Sequence, residues 1–221
     1  MSAASRVTSV AGPAGPIDVA LDLPDAPARG IAVIAHPHPL YGGSRDNKVV
    51  QTLARALRSL GFACWCPNFR GVGASAGTHD DGRGETDDLL RVVEAARADP
   101  SAARDSRALP LLLAGFSFGC FVQSRVAAAL ARDGRAAARM VLVAPAVSRF
   151  DLGPVPPDTL VVHGELDDVV PLGAVLAWAG PLDLPVVVVP GGDHFFHRKL
   201  PMLKRIVLGS LAGGVDAAPA A

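Results

Sequence analysis

The chain has too few cysteines, and an odd number of them, for a disulfide framework: three in 221 residues. Two of these, Cys64 and Cys66, lie two apart on a run that reads as a strand, so both thiols face one side and are taken as core side chains rather than metal ligands. There is no excess of either charge. The 21 basic residues balance the 21 acidic ones, which leaves no global field to attract nucleic acid or an anionic membrane. No apolar run approaches the roughly 18 residues needed to cross a bilayer. Residues 1–6, MSAASR, lack the apolar stretch of a signal peptide, and a cytoplasmic location is expected. No internal repeat is visible. Half the residues are hydrophobic, enough to bury one large core, so a single domain over residues 1–221 is expected. Its ends, residues 1–5 and the small, low-complexity residues 212–221, are expected to fray.

Two short alternating segments, residues 6–10 and 17–23, flank Ala11-Gly12-Pro13-Ala14-Gly15-Pro16 and predict an antiparallel hairpin at a sheet edge. Apolar runs at 30–35, 62–66, 111–114, 140–144, 160–163 and 186–189 predict buried strands. Between them lie helical patterns. Residues 46–60 carry Val49, Val50, Leu53, Ala56, Leu57 and Leu60 at helical spacing and are closed by Gly61. Residues 85–98 open with Glu85, Asp87 and Asp88, which suit the positive end of a helix dipole. Further helices are expected at 120–132, 172–179 and 198–211. Strands alternating with helices predict an α/β fold: a mostly parallel, eight-stranded twisted sheet with helices on both faces. In such sheets ligands sit beyond the carboxyl ends of the strands.

The pattern Gly-x-Ser-x-Gly occurs twice. Gly115-Phe116-Ser117-Phe118-Gly119 follows an apolar run and precedes an Ala-rich helical segment, the strand–turn–helix context of a nucleophile elbow. Glycines two residues to either side give a strained serine neighbours without bulk, and the following helix aims its N–H groups at the serine. Gly73-Ala74-Ser75-Ala76-Gly77 follows Asn68-Phe69-Arg70-Gly71 and precedes Thr78-His79-Asp80-Asp81-Gly82, which is loop chemistry on both sides. Ser75 is read as a loop serine. Ser117 is the candidate nucleophile.

A serine needs a base, and the base needs an orienting acid. His163-Gly164-Glu165-Leu166-Asp167-Asp168-Val169-Val170-Pro171 follows one strand, and Pro190-Gly191-Gly192-Asp193-His194-Phe195-Phe196 follows the next. Ser117, Asp167 and His194 thus follow three separate strands in the order Ser, Asp, His. Asp168 serves as the acid if that loop is shifted by one. Asp193 adjoins His194, and adjacent side chains diverge, so it is assigned to capping.

These segments, with His36-Pro37-His38-Pro39-Leu40-Tyr41-Gly42-Gly43-Ser44, make the chain resemble the small, lidless prokaryotic serine hydrolases of the α/β-hydrolase fold, esterases and thioesterases related to dienelactone hydrolase. The resemblance covers nearly the whole chain. It implies Ser117 as nucleophile, His194 as general base and, from the pattern H-G-x-x-D-x-x-V-P, Asp167 as acid. It implies that His163 hydrogen-bonds the acid loop, and it requires no cofactor. The oxyanion hole needs two N–H donors. Phe118 N–H is one. The other comes from the loop after residues 31–35, where relatives often carry His-Gly; here Pro37 and Pro39 have no N–H, which leaves His38, with Leu40 as the fallback. A metal reading of His36 and His38 needs further ligands, and the next acid, Asp46, lies on another element.

Leu40, Tyr41, Phe116, Phe118 and Phe195 are candidates for an apolar substrate wall, with a core role as the alternative. Arg70 is assigned to a salt bridge holding the Gly-rich loop rather than to an acidic substrate. His79 and His197 are assigned to solvated positions. Residues 145–159 are too short for the lid that many relatives insert, so an open cleft is expected. The expected partner is a small acyl substrate, without nucleic acid or membrane, and the edge hairpin or terminal strand could pair two subunits. The resemblance implies ester or thioester hydrolysis through an acyl-enzyme. Acyl transfer with the same residues, peptidase activity and a non-catalytic binding protein are the rivals. Peptidases of this fold usually add a cap or propeller.

Overall fold

The computed structural model describes residues 6–101 and 106–212; the expected fraying of residues 1–5 and 212–221 lies, Ala212 apart, outside the described residues. One eight-stranded sheet runs through it in the order β1-β2-β4-β3-β5-β6-β7-β8. β1 (Arg6–Gly12) and β2 (Gly15–Asp22) form the antiparallel hairpin, and β1 is one edge. Their ladder extends past the predicted ends to Gly12 opposite Gly15, so only Pro13 and Ala14 form the turn. β2 also pairs antiparallel with β4 (Phe62–Pro67). The remaining pairs, through β3 (Gly30–Ala35), β5 (Leu111–Phe116), β6 (Arg139–Val143), β7 (Leu160–Gly164) and β8 (Val186–Val189), are parallel.

Strand alternation divides the core between the two faces. Val33, Trp65, Leu113 and Leu142 meet α2 (Arg83–Ala98) and α3 (Phe118–Arg132) on one face. Ile34, Cys64, Cys66, Leu112 and Phe116 meet α1 (Lys48–Ser59) and α5 (Leu200–Leu211) on the other. Both thiols of the Cys64–Cys66 pair thus point to one face; all three cysteines are free and buried, and burial pushes their pKa values up. A smaller helix, α4 (Leu172–Ala179), covers β7 through Val175 against Val161.

Local chemistry sets the helix starts. Asn47 Oδ1 accepts the Val49 N–H at 2.9 Å, so α1 begins at Lys48 rather than at 46. The Glu85 carboxylate reaches back to the N–H groups of Asp80 and Gly82, both at 2.9 Å, and α2 therefore begins two residues before Glu85. Arg198 adopts φ 60, outside the helical region, and Pro201 sits in the first turn, which delays α5 to Leu200. α3 begins directly after Ser117, two residues earlier than expected.

Candidate active site

Five loops, at the carboxyl ends of β3, β5, β6, β7 and β8, converge on one cleft of about 380 Å³. Ser117 links β5 to α3 with φ 55 and ψ −117, a conformation costly for a residue with a Cβ. The flanking glycines make that turn fit. A Cβ on Gly115 would lie 2.6 Å from the Gly119 carbonyl carbon, and a Cβ on Gly119 would lie 2.5 Å from the Ala35 oxygen. The first turn of α3 is therefore packed backbone to backbone against the end of β3.

Ser117 Oγ lies 3.1 Å from His194 Nε2, and His194 Nδ1 lies 2.7 Å from Asp167 Oδ2. With Nδ1–H donated to the carboxylate, Nε2 is left to accept from the serine hydroxyl. All three residues are buried. The other oxygen of Asp167 accepts the N–H groups of Val169 (2.9 Å) and Val170 (2.7 Å). Burial alone would raise this carboxyl; the hydrogen bonds from His194 and Val170 and the nearby imidazoles outweigh it and lower its pKa. Asp168, the alternative acid, points into solvent.

His163 donates through Nε2 to the Val170 carbonyl at 2.9 Å, and the same nitrogen lies 3.5 Å from Asp167 Oδ2. It contacts the acid loop as the resemblance implied. Burial lowers its pKa. Asp193 turns away from its neighbour His194 and accepts the His197 N–H at 2.9 Å, a cap of the following turn.

The loop after β3 is held by His36 and His38. His36 is fully buried, and its Nε2 accepts the Phe69 N–H at 2.9 Å while Nδ1 faces the Pro37 carbonyl. Both ring nitrogens are therefore committed to backbone. His38 Nδ1 accepts the Leu40 N–H at 3.3 Å, which removes Leu40 as a free donor. No acceptor among the described residues takes the backbone N–H of His38 or of Phe118.

The walls differ in part from those expected. Tyr41, Phe118 and Phe195 line the cleft. Phe116 does not: it is fully buried, with its ring 5.1 Å from that of His194, because an even-numbered β5 residue faces the α1–α5 layer. Leu40 does not line it either, and its side chain projects into solvent from the turn Pro39–Tyr41. Arg149 and Phe150, on the β6–β7 connection, and Val169 and Val170, behind Asp167, complete the wall. The connection carries no helical cap. Val169 and Val170 belonged to a segment already singled out; Arg149 and Phe150 had no local signal.

Arg70 sits on Asp88 through two bonds, 2.8 and 3.0 Å, and on the Gly84 carbonyl, away from the cleft. His79, expected in solvent, is largely buried. Its Nδ1 lies 2.9 Å from Glu85 Oε1, off the line of a hydrogen bond, and its ring packs on His38 at 4.7 Å. The loop folds over the start of α2 because Glu85 pulls the Asp80 and Gly82 N–H groups inward.

Sheet order, elbow and the hydrogen-bonded line of serine, histidine and aspartate define a serine hydrolase of the lidless α/β-hydrolase fold. The chain belongs to the Hydrolase_4 family, described as serine aminopeptidase, S33, whose model matches residues 26–171. It is similar to a Xanthomonas campestris α/β serine hydrolase without a lid, at 40% identity over 99% of both chains with a TM-score of 0.85. A serine hydrolase homologue from Coxiella burnetii is 35% identical, covering 96% of this chain and 99% of that one, with a TM-score of 0.83. An uncharacterised protein of Rickettsia prowazekii is 31% identical over 202 residues, 85% of this chain and 81% of that protein.

Proposed function

We propose that the protein hydrolyses a carboxylic ester or thioester of a small acyl substrate through an acyl-enzyme on Ser117. The observation that carries this reading is the continuous line Asp167–His194–Ser117, at 2.7 and 3.1 Å, opening into the cleft. His194 takes the Ser117 proton as Oγ attacks the acyl carbon, then delivers it to the leaving alcohol or thiol. Water, deprotonated by the same imidazole, attacks the acyl carbon and releases the acid and Ser117. Asp167 holds the ring and balances the imidazolium.

Phe118 and His38 are the proposed oxyanion donors. Both N–H groups are free of protein acceptors among the described residues, and the contact of Gly119 with Ala35 brings their two segments together. The family description raises aminopeptidase activity as an alternative. An aminopeptidase must bind a free ammonium, and among the described residues no Asp or Glu lines this cleft. The test compares para-nitrophenyl butyrate, a butyryl thioester and leucine para-nitroanilide. Turnover of the first two with an initial burst, and little of the anilide, is expected; preferential cleavage of the anilide overturns the ester reading.

A further inference from the structure

The cleft wall is mostly apolar, and Arg149, an exposed residue, is the one permanently charged side chain among the described residues that line it. No carboxylate balances it. Among the described residues Arg149 has no ion-pair partner and no side-chain hydrogen bond, and it reaches the cleft from the β6–β7 connection beside Phe150. Of the acids near the cleft loops none is among the lining residues, and three are committed elsewhere. Asp167 is held by His194 and two backbone N–H groups, Glu85 by the start of α2 and His79, and Asp81 lies 3.3 Å from His79. Two other arginines near the cleft loops are paired and do not line it. Arg70 lies on Asp88, and Arg45 on Asp18. A second donor lines the same cleft. His38 Nδ1 accepts from Leu40, so in the neutral ring the proton sits on Nε2.

We propose that the substrate carries a carboxylate, bound by the Arg149 guanidinium in the cleft that Ser117 also lines. This rests on the ester-hydrolase reading and names its substrate class. A planar guanidinium matches a carboxylate in shape and charge, one to one. A phosphate dianion would leave half its charge unpaired against this wall. The surrounding aromatic and aliphatic side chains then pack on the carbon chain between carboxylate and ester, and attack, proton transfer and leaving group stay those of the neutral ester.

The test uses matched pairs of esters on the whole protein. One pair places the carboxylate on the acyl side, mono-para-nitrophenyl adipate against para-nitrophenyl hexanoate. The other places it on the alcohol side, para-carboxyphenyl butyrate against its methyl ester. In at least one pair the wild type favours the anionic member by about tenfold in kcat/KM, the size of a charge-assisted hydrogen bond. Arg149→Gln removes that preference through KM, costing the anionic member about tenfold more than the neutral one, while Arg149→Glu turns it into discrimination against the anion. The preference also shrinks as salt is raised. A wild type that prefers the neutral member of both pairs, or an Arg149→Gln change that slows both members alike, overturns the assignment. A folded wild type that turns over no ester at all overturns the hydrolase reading, and this one with it.

Discussion

Ser75 and Ser117 sit in the same pentapeptide pattern and are equally buried, each 8% exposed. Neither motif nor burial separates them. Hydrogen bonding does. Ser75 Oγ donates to the Asn68 carbonyl at 2.8 Å and accepts the Asp18 N–H at 2.9 Å, so its hydroxyl is engaged by backbone on both sides. Among the described residues Ser117 Oγ meets only the His194 nitrogen. The glycines also serve opposite ends. Gly73 and Gly77 supply positive φ values, 59 and 85, that let a loop fold, while at the elbow the serine itself carries the positive φ and the glycines permit close backbone approach. One pattern therefore encodes a structural staple in one place and, in the other, a strained serine whose hydroxyl faces a histidine.

The sharpest way to break this comparison is to truncate each serine. Ser117→Ala should lower ester turnover by about 10⁴-fold or more and leave the unfolding midpoint nearly unchanged. The two aspartates of the acid loop give the next contrast. Asp167→Asn should cost about 10³ to 10⁴-fold in kcat, because the amide no longer accepts the proton that fixes the His194 tautomer, while Asp168→Asn stays within about twofold. Steady-state kinetics on one ester reads both.

Smaller effects fall on stability. Gly119→Ala should cost about 2–3 kcal/mol in urea unfolding, since its Cβ would press on the β3 backbone. Acid should act through His36, whose Nε2 ties the start of the Ser75 loop to the end of β3. Burial lowers its pKa from 6.5 to about 4, against the partial support of the Pro37 carbonyl. A pKa depressed on folding gives stability that is complete above the unfolded value, about 6.5, and is lost as the pH falls toward 4. By pH 5 the loss is about 2 kcal/mol, and His36→Gln should remove most of that pH difference in urea titrations. Ser75→Ala should cost about 1–2 kcal/mol, because the buried Asp18 N–H loses its acceptor, with turnover within about twofold of wild type.

Sheet order aside, most of the fold was legible because apolar runs and helical periods are local signals. The eight strands and five long helices fall where those runs lie, and the misses at helix starts come from side chains that fold back, Asn47 and Glu85, or from an unusual φ at Arg198. That Ser117, Asp167 and His194 meet follows from their place after three strands of one sheet. His79 was misread because Thr78-His79-Asp80-Asp81 is polar in sequence and only the inward pull of Glu85 buries it. Arg149 was invisible for a different reason. Its meaning depends on which acids reach it, and that is decided by elements far away in the chain. Phe116 and Leu40 show the same limit, since proximity to a motif does not reveal which way a side chain turns.

The most direct measurement is labelling by a fluorophosphonate, which reacts with an activated serine regardless of substrate. Wild type, Ser75→Ala and Ser117→Ala would be compared after confirming that each is folded. The account predicts stoichiometric labelling of the first two and none of Ser117→Ala. Labelling that persists in Ser117→Ala, or a folded wild type that stays unlabelled, would contradict it.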